Sequence, residues 1–191
     1  MISHLNGRLV EKTPTHIVVE CGGVGYFVRI SLNTFSKLSN DENIRIHTHL
    51  QVREDAHNLY GFYSVAEREM FNHLLSVSGI GANTAILMLS AMTSDEIASA
   101  IAHGDVATIQ SIKGIGAKTA QRVIIDLKDK VIKGDFSTEN IFTVNNTNQN
   151  DALNALLALG FDKKRAEKAI VKVISEDLTV EEIIKEALKV L

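Results

Sequence analysis

The sequence predicts a multidomain α+β protein: an N-terminal five-stranded β-barrel of the OB type, an all-α middle domain, a flexible linker and a small C-terminal three-helix bundle. Three observations predict it. Apolar residues alternate along the first 63 positions, the period turns helical at Ser64, and from Gly134 to Asn150 it stops. The divisions that follow are 1–63, 64–133, 134–150 and 151–191.

In the first zone Ile17, Val19 and Cys21 share one parity, as do Ile44, Ile46, Leu50 and Val52, while His47, His49, Gln51 and Arg53 take the other. Such alternation marks strands with one buried and one wet face. Turn signals fall at Thr13-Pro14-Thr15 and Gly22-Gly23, and Glu54-Asp55 stands where a strand over 43–53 reverses into 56–62. A small antiparallel sheet exposes its edges unless it closes, so a barrel is expected over an open sheet. Cys21 is the single cysteine, which excludes an internal disulfide, and it is expected in the core.

Ser64-Val65-Ala66-Glu67 has the form of a capping box, in which two side chains satisfy free backbone donors at a helix start. Thr93-Ser94-Asp95-Glu96 repeats that form before the helical run to His103, and Asp105 precedes a further short helix. Of the 17 residues from 134 to 150, 10 are Ser, Thr, Asn or Gln, a composition that buries too little to pack. Beyond it three helical patterns follow: 151–159 ended by Gly160, 162 to about 175, and 180–191 capped by Thr179 with Glu182 three residues on.

Composition bounds the chemistry. The 191 residues are 45% apolar and 23% charged with a net charge of −3, which excludes collagen-like and low-complexity classes and a polycation. Nucleic-acid contact would have to come from local charge. No run reaches the roughly 20 apolar residues of a membrane span, and Met1 to Arg8 lacks the apolar run of a signal peptide. A cytoplasmic location is the expectation.

The middle zone contains an internal repeat at an offset of 35, in which the segment Val77–Ala85 matches Ile112–Ala120 at six of nine positions. Each copy places a Gly-Ile-Gly turn between an apolar helix end and a second helix starting at Ala82 or Ala117. Glycines admit positive φ and close approach of a ligand to the backbone, and the free N–H groups of the second helix form an anion site. Two copies in register point to phosphate binding rather than to bare helix turns, and two are too few for a solenoid. Lys118 and Arg122 lie i, i+4 on the second copy's helix. Between Ile109 and Lys133 six basic residues face two acidic ones. Contacts of this kind carry no base information, so recognition should follow shape.

Other chemistries are weaker. Gly114-Ile115-Gly116-Ala117-Lys118-Thr119 lacks the flanking glycines and preceding strand of a phosphate loop for ATP. His47 and His49 share a strand face with no third ligand evident, so a solvated face is expected and no metal. Glu54-Asp55 beside His57 is either a solvated hairpin tip or a pair in a metal-dependent nuclease, for which converging carboxylates are lacking.

With the barrel, the acidic pair within Val52-Arg53-Glu54-Asp55-Ala56, two Gly-Ile-Gly repeats and a linked bundle in this order, the chain resembles the RuvA family over essentially its whole length. These are the Holliday-junction-binding subunits of bacterial branch migration. The segments Gly22–Tyr26, Thr48–Ala56, Leu59–Phe62 and Gly114–Ala120 carry the likeness, and the repeats resemble that family's helix-hairpin-helix motifs. The resemblance implies a non-catalytic, sequence-independent DNA-binding protein without cofactor. It would be a homotetramer, extending to an octamer, that holds a four-way junction open in recombination and repair. Gly79, Gly81, Asn83, Thr84, Gly114, Gly116, Lys118, Thr119 and Arg122 would then contact DNA backbone, and Glu54 and Asp55 would form an acidic pin that repels phosphates at the crossover. The bundle, through Leu156, Leu159, Phe161, Ala166 and Ile170, would recruit the hexameric RuvB ATPase, and the RuvC resolvase is a further partner. Two departures weaken the first hairpin: Asn83 stands where the family commonly has a basic residue, and Leu87 stands opposite Arg122. The Leu159-Gly160-Phe161 turn also resembles ubiquitin-associated domains, which leaves a peptide-binding adaptor as the alternative.

Overall fold

The computed structural model describes residues 1–39, 42–132, 144–173 and 178–191. Residues 1–138 and 139–191 form two separate units. The first begins with strands β1 (His4–Lys12), β2 (His16–Cys21) and β3 (Val24–Ile30), a short helix α1 (Leu32–Lys37), and strands β4 (Asn43–Val52) and β5 (His57–Phe62). They close in the order β1-β2-β3-β5-β4, with β4 returning to β1, so no sheet edge is left open. The β3–β5 pair is parallel, Val28 opposite Leu59, and the other pairs are antiparallel. Most of the parity set read from the sequence faces inward: Ile17, Val19, Ile44 and Ile46 pack with Leu5, Val28, Ile30 and Leu59, and Leu50 lies partly buried against them, but Val52 is 61% exposed where β4 runs into its hairpin tip.

Three local expectations are corrected here. Strand alternation missed α1, whose six residues are too few to show a helical period; Ser31 caps it by accepting the Thr34 amide. Cys21 is half-buried at the margin of the barrel core, its thiol donating to the Asn6 carbonyl at 3.4 Å, because it ends β2 beside the Gly22-Gly23 turn. The histidine face of β4 is not simply solvated: His47 and His49 are half-buried beside the next helix, where His49 meets Phe71 edge-on at 5.3 Å.

That helix, α2 (Val65–Ser76), is followed by α3 (Ala82–Ala91), α4 (Ser94–His103), α5 (Val106–Gln110) and α6 (Ala117–Ile132). Phe71 binds α2 to the barrel, its ring 4.8 Å from Phe62 and 5.2 Å from Tyr60. The helices share one core of Met70, Leu74, Met88, Leu89, Ile97, Ile101, Ile109, Val123 and Leu127, which is continuous with Tyr60 and Phe62 of β5. Among the described residues no single helix is long and apolar enough to cross a membrane. The capping boxes at Thr93/Glu96 and Thr179/Glu182 form in full. At Ser64 only half forms: Ser64 accepts the Glu67 amide, but the Glu67 carboxylate turns away into the barrel joint.

The second unit packs α7 (Val144–Ala158), α8 (Lys163–Val173) and α9 (Val180–Val190) around Ala152, Leu156, Ala166, Ala169, Ile170, Ile183 and Ala187. Helix α7 starts seven residues before the expected 151, inside the stretch read as linker, since Asn, Thr and Gln are tolerated in a helix that later residues anchor. Linker residues 134–143 and residues 174–177 lie outside the described residues.

Candidate nucleic-acid interface

The two Gly-Ile-Gly repeats fold alike, bond for bond. In the first, the Val77 amide donates to Leu74, Ile80 to Val77 and Ala85 to Gly81; in the second, Ile112 donates to Ile109, Ile115 to Ile112 and Ala120 to Gly116. Gly79 and Gly114 hold φ of +95° and +90°, a region that an L side chain enters only with strain. The isoleucine between the glycines is the buried plug of each loop, Ile80 at 6% and Ile115 at 5% exposure. The second glycines have ordinary backbone and empty space around them: a Cβ at Gly81 or Gly116 would meet nothing within 4 Å. The fold itself therefore does not require glycine at either position.

Helices α1, α2, α4, α5 and α9 are capped by a Ser, Thr or Asp side chain, whereas α3 starts at Gly81 with no side-chain cap. The amides of its first turn thus point outward with the positive end of the helix dipole, the arrangement that binds an anion. Asn83 is exposed and Thr84 half-exposed on that turn. Lys118 and Thr119 hold the matching positions on α6, Lys118 fully outside.

The loops are held side by side. Arg122 on α6 donates to the Ser78 carbonyl at 3.1 Å, Lys130 to the Ser76 hydroxyl at 3.4 Å, and a Cβ on Gly79 would lie 4.0 Å from the Thr119 hydroxyl. Arg122, read from the sequence as a phosphate contact, is first a strut across the first loop. Arg29 of β3, which sequence reasoning missed because it lies in the strand zone, reaches the Asn83 amide oxygen at 3.5 Å and brings a cation to the start of α3.

Glu54 and Asp55 are both exposed at the tip between β4 and β5, where the Arg53 amide closes on the Ala56 carbonyl at 2.9 Å. Arg68 acts on both His47 and His49, and Asn72 bonds His49, so α2 lies against the histidine face of β4. The strand ends in the acidic tip and the helix ends in the first loop. Burial first, then the charge of Arg68, holds His47 below the ordinary imidazole value; burial does the same to His49 against the pull of the Asn72 hydrogen bond. Among the described residues no three His, Cys, Asp or Glu side chains converge as metal ligands.

Models of three known domains match the chain: RuvA N terminal domain over residues 1–61, SAM-like helix-hairpin-helix tandem over 71–129, and RuvA C-terminal domain over 147–191. It is 54% identical over 191 residues to the Holliday junction branch migration complex subunit RuvA of Christiangramia forsetii, with 99% of each chain covered. The proteins of the same name from Flavobacterium psychrophilum and Chromobacterium violaceum are 53% and 43% identical, with 98% or more of each chain covered. The chain belongs to the RuvA family. The helix-hairpin-helix match takes in both glycine loops, and the RuvA N-terminal match, which takes in the acidic tip between β4 and β5, ends within β5.

The RuvA C-terminal bundle separates residues that sequence could not. Leu156, Ala166 and Ile170 are core, at 0%, 0% and 5% exposure, because each falls on the inward stripe of its helix. Phe161 is half-buried against that core, and Leu159 stands 62% exposed just before the Gly160 turn. Leu157, Val171, Leu188 and Val190 are exposed as well, which apolar periodicity alone does not distinguish from core.

Proposed function

We propose that this chain binds four-way junction DNA by shape, holds it open, and recruits the RuvB ATPase, itself contributing no catalysis. The observation that carries this is the pair of glycine loops that fold alike and are held side by side, in a chain that also exposes a hairpin tip of two carboxylates. Amides and Lys118 attract phosphates while Glu54 and Asp55 repel them within a screening length of about 10 Å. A linear duplex laid on the loops gains only the attraction. A junction whose arms splay around the tip gains the attraction and escapes the repulsion.

The chain acts as a homotetramer, so that four arms meet four copies of the loops, and an octamer clasps the junction from both sides. It works in the cytoplasm, and RuvC resolvase is a partner of the same complex. Recruitment of the motor runs through the C-terminal bundle, for which Leu159 is the exposed member of the residues chosen from sequence.

The test is competition of a labelled immobile four-way junction against linear duplex of the same sequence, at fixed near-physiological salt without divalent metal. A junction preference of about a hundredfold or more is expected, within the range that separates specific from non-specific DNA binding. Equal affinity would reduce the chain to a generic duplex binder, and no affinity would favour the peptide adaptor.

A further inference from the structure

Glu67 is the one buried carboxylate among the described residues, at 3% exposure, and phosphate binding does not use it. Ser31 donates to its Oε1 at 2.5 Å and Thr34 to its Oε2 at 2.7 Å. The same two hydroxyls accept backbone amides, Ser31 Oγ that of Thr34 at 2.9 Å and Thr34 Oγ1 that of Tyr63 at 3.0 Å. The network thus binds α1, the end of β5 and the first turn of α2. Helix α1 also holds α3, through Asn33 Nδ2 to the Leu89 carbonyl at 2.6 Å and the Leu32 amide to Ser90 Oγ at 3.1 Å. Both helices of the first hairpin are therefore fastened to one small element of the barrel.

The chain contains its own controls. In the same Ser/Thr-x-x-Glu form, Glu96 and Glu182 return to cap their helices, while Glu67 forgoes the cap bond for the barrel. A buried carboxylate contributes less to stability than a well-packed apolar side chain of its size, but its bonds are directional. We propose that Glu67 is a positioning residue: clamped by Ser31 and Thr34, it fixes the first hairpin relative to the acidic tip and so sets the preference for junction over duplex. The inference rests on the junction-binding reading for its effect on DNA; the clamp itself is testable without DNA.

Full-length chain carrying Cys21→Ser and spin labels at two exposed sites, Val52→Cys at the tip end of β4 and Ala91→Cys on α3, is diluted into unlabelled chain so that only intrachain distances are read. Glu67→Ala and the double variant Ser31→Ala/Thr34→Val should each widen the distance distribution about twofold. Junction affinity should fall about tenfold while duplex affinity changes less than about twofold, because each loop keeps its amides and only their placement loosens. Glu67→Gln, which can still bond both hydroxyls, should restore most of both readings. Thr34→Val alone, nearly isosteric, makes the same comparison if Glu67→Ala does not fold. A distribution as narrow as the parent's in these variants overturns the clamp whatever the DNA shows. A lowered melting temperature with unchanged distribution and unchanged junction-to-duplex ratio overturns it too. A parent chain that does not prefer junctions refutes the function instead, and the distance reading still decides the clamp.

Discussion

The two glycines of each loop serve different ends, and alanine separates them. At Gly114 the backbone sits at φ +90° with nothing within 4 Å of an added Cβ, so Gly114→Ala meets no clash and its whole effect is backbone strain. An L residue in that region costs about 1–2 kcal/mol, which for a chain of this length lowers the melting temperature by about 2–8 °C. Gly79→Ala, at φ +95° with the Thr119 hydroxyl at 4.0 Å, should behave alike. Gly116→Ala and Gly81→Ala also enter open space but at ordinary φ, so stability should hold within about 0.5 kcal/mol. The new methyl instead occupies the approach of a phosphate whose oxygen must come to about 2.9 Å from an amide nitrogen. Junction affinity should fall about tenfold, the loss of one charge-assisted contact per loop. Scanning calorimetry and fluorescence anisotropy on the four single variants read the two axes separately. Unchanged junction affinity in Gly81→Ala and Gly116→Ala would refute the amide anion site, and unchanged melting in Gly79→Ala and Gly114→Ala would refute the strain argument.

Lys118→Ala should weaken binding of any duplex or junction and lower the slope of log K against log salt by about 0.9, the release of one counterion; an unchanged slope in a salt titration moves the phosphate elsewhere. Neutralising the tip by Glu54→Gln with Asp55→Asn should leave or raise overall DNA affinity and relax the junction preference in the competition assay, whereas a collapse of affinity contradicts repulsion. The fold should lose stability on acidification through its histidines. His47 and His49 are depressed below the ordinary 6.5, so the unfolded chain takes up protons first as pH falls, and stability drops from about pH 6.5 until the folded values are passed. Melting temperature followed from pH 7.5 to 5 should fall less steeply in His47→Asn/His49→Gln, and an equal slope would place the acid sensitivity in other groups.

Much of the barrel and both hairpins were legible because they rest on periodic or local signals. Alternation from Ile44 to Val52 marks strand faces, Gly22-Gly23 and Glu54-Asp55 mark reversals, and the repeat at an offset of 35 aligns two loops whose hydrogen bonds then coincide. What escaped was long-range and polar. Helix α1 has no apolar stripe to announce it, and Glu67 satisfies a local motif on paper while its partners Ser31 and Thr34 lie more than thirty positions away. The split of Leu156 from Leu159 depends on which side of α7 meets α9, a matter of packing that neighbouring leucines in sequence do not encode.

The first hairpin then has an account that residue matching alone denies it. Asn83 and Leu87 lack the charge that Lys118 and Arg122 bring to the second copy, and by residue type the first loop is the weaker site. Structure brings cations from outside the repeat: Arg29 from β3 at the start of α3, and Arg122 over the Ser78 carbonyl. A guanidinium has several N–H donors in a planar fork, so Arg122 can bond Ser78 through one and face a phosphate with others, which a lysine cannot do in the same geometry. Arg122→Lys should therefore keep the salt slope and yet lose junction affinity, since charge stays while the strut between the loops goes. If Arg122→Lys binds like the parent, charge alone is what α6 supplies, and the loops are held in register by Lys130 and the shared core.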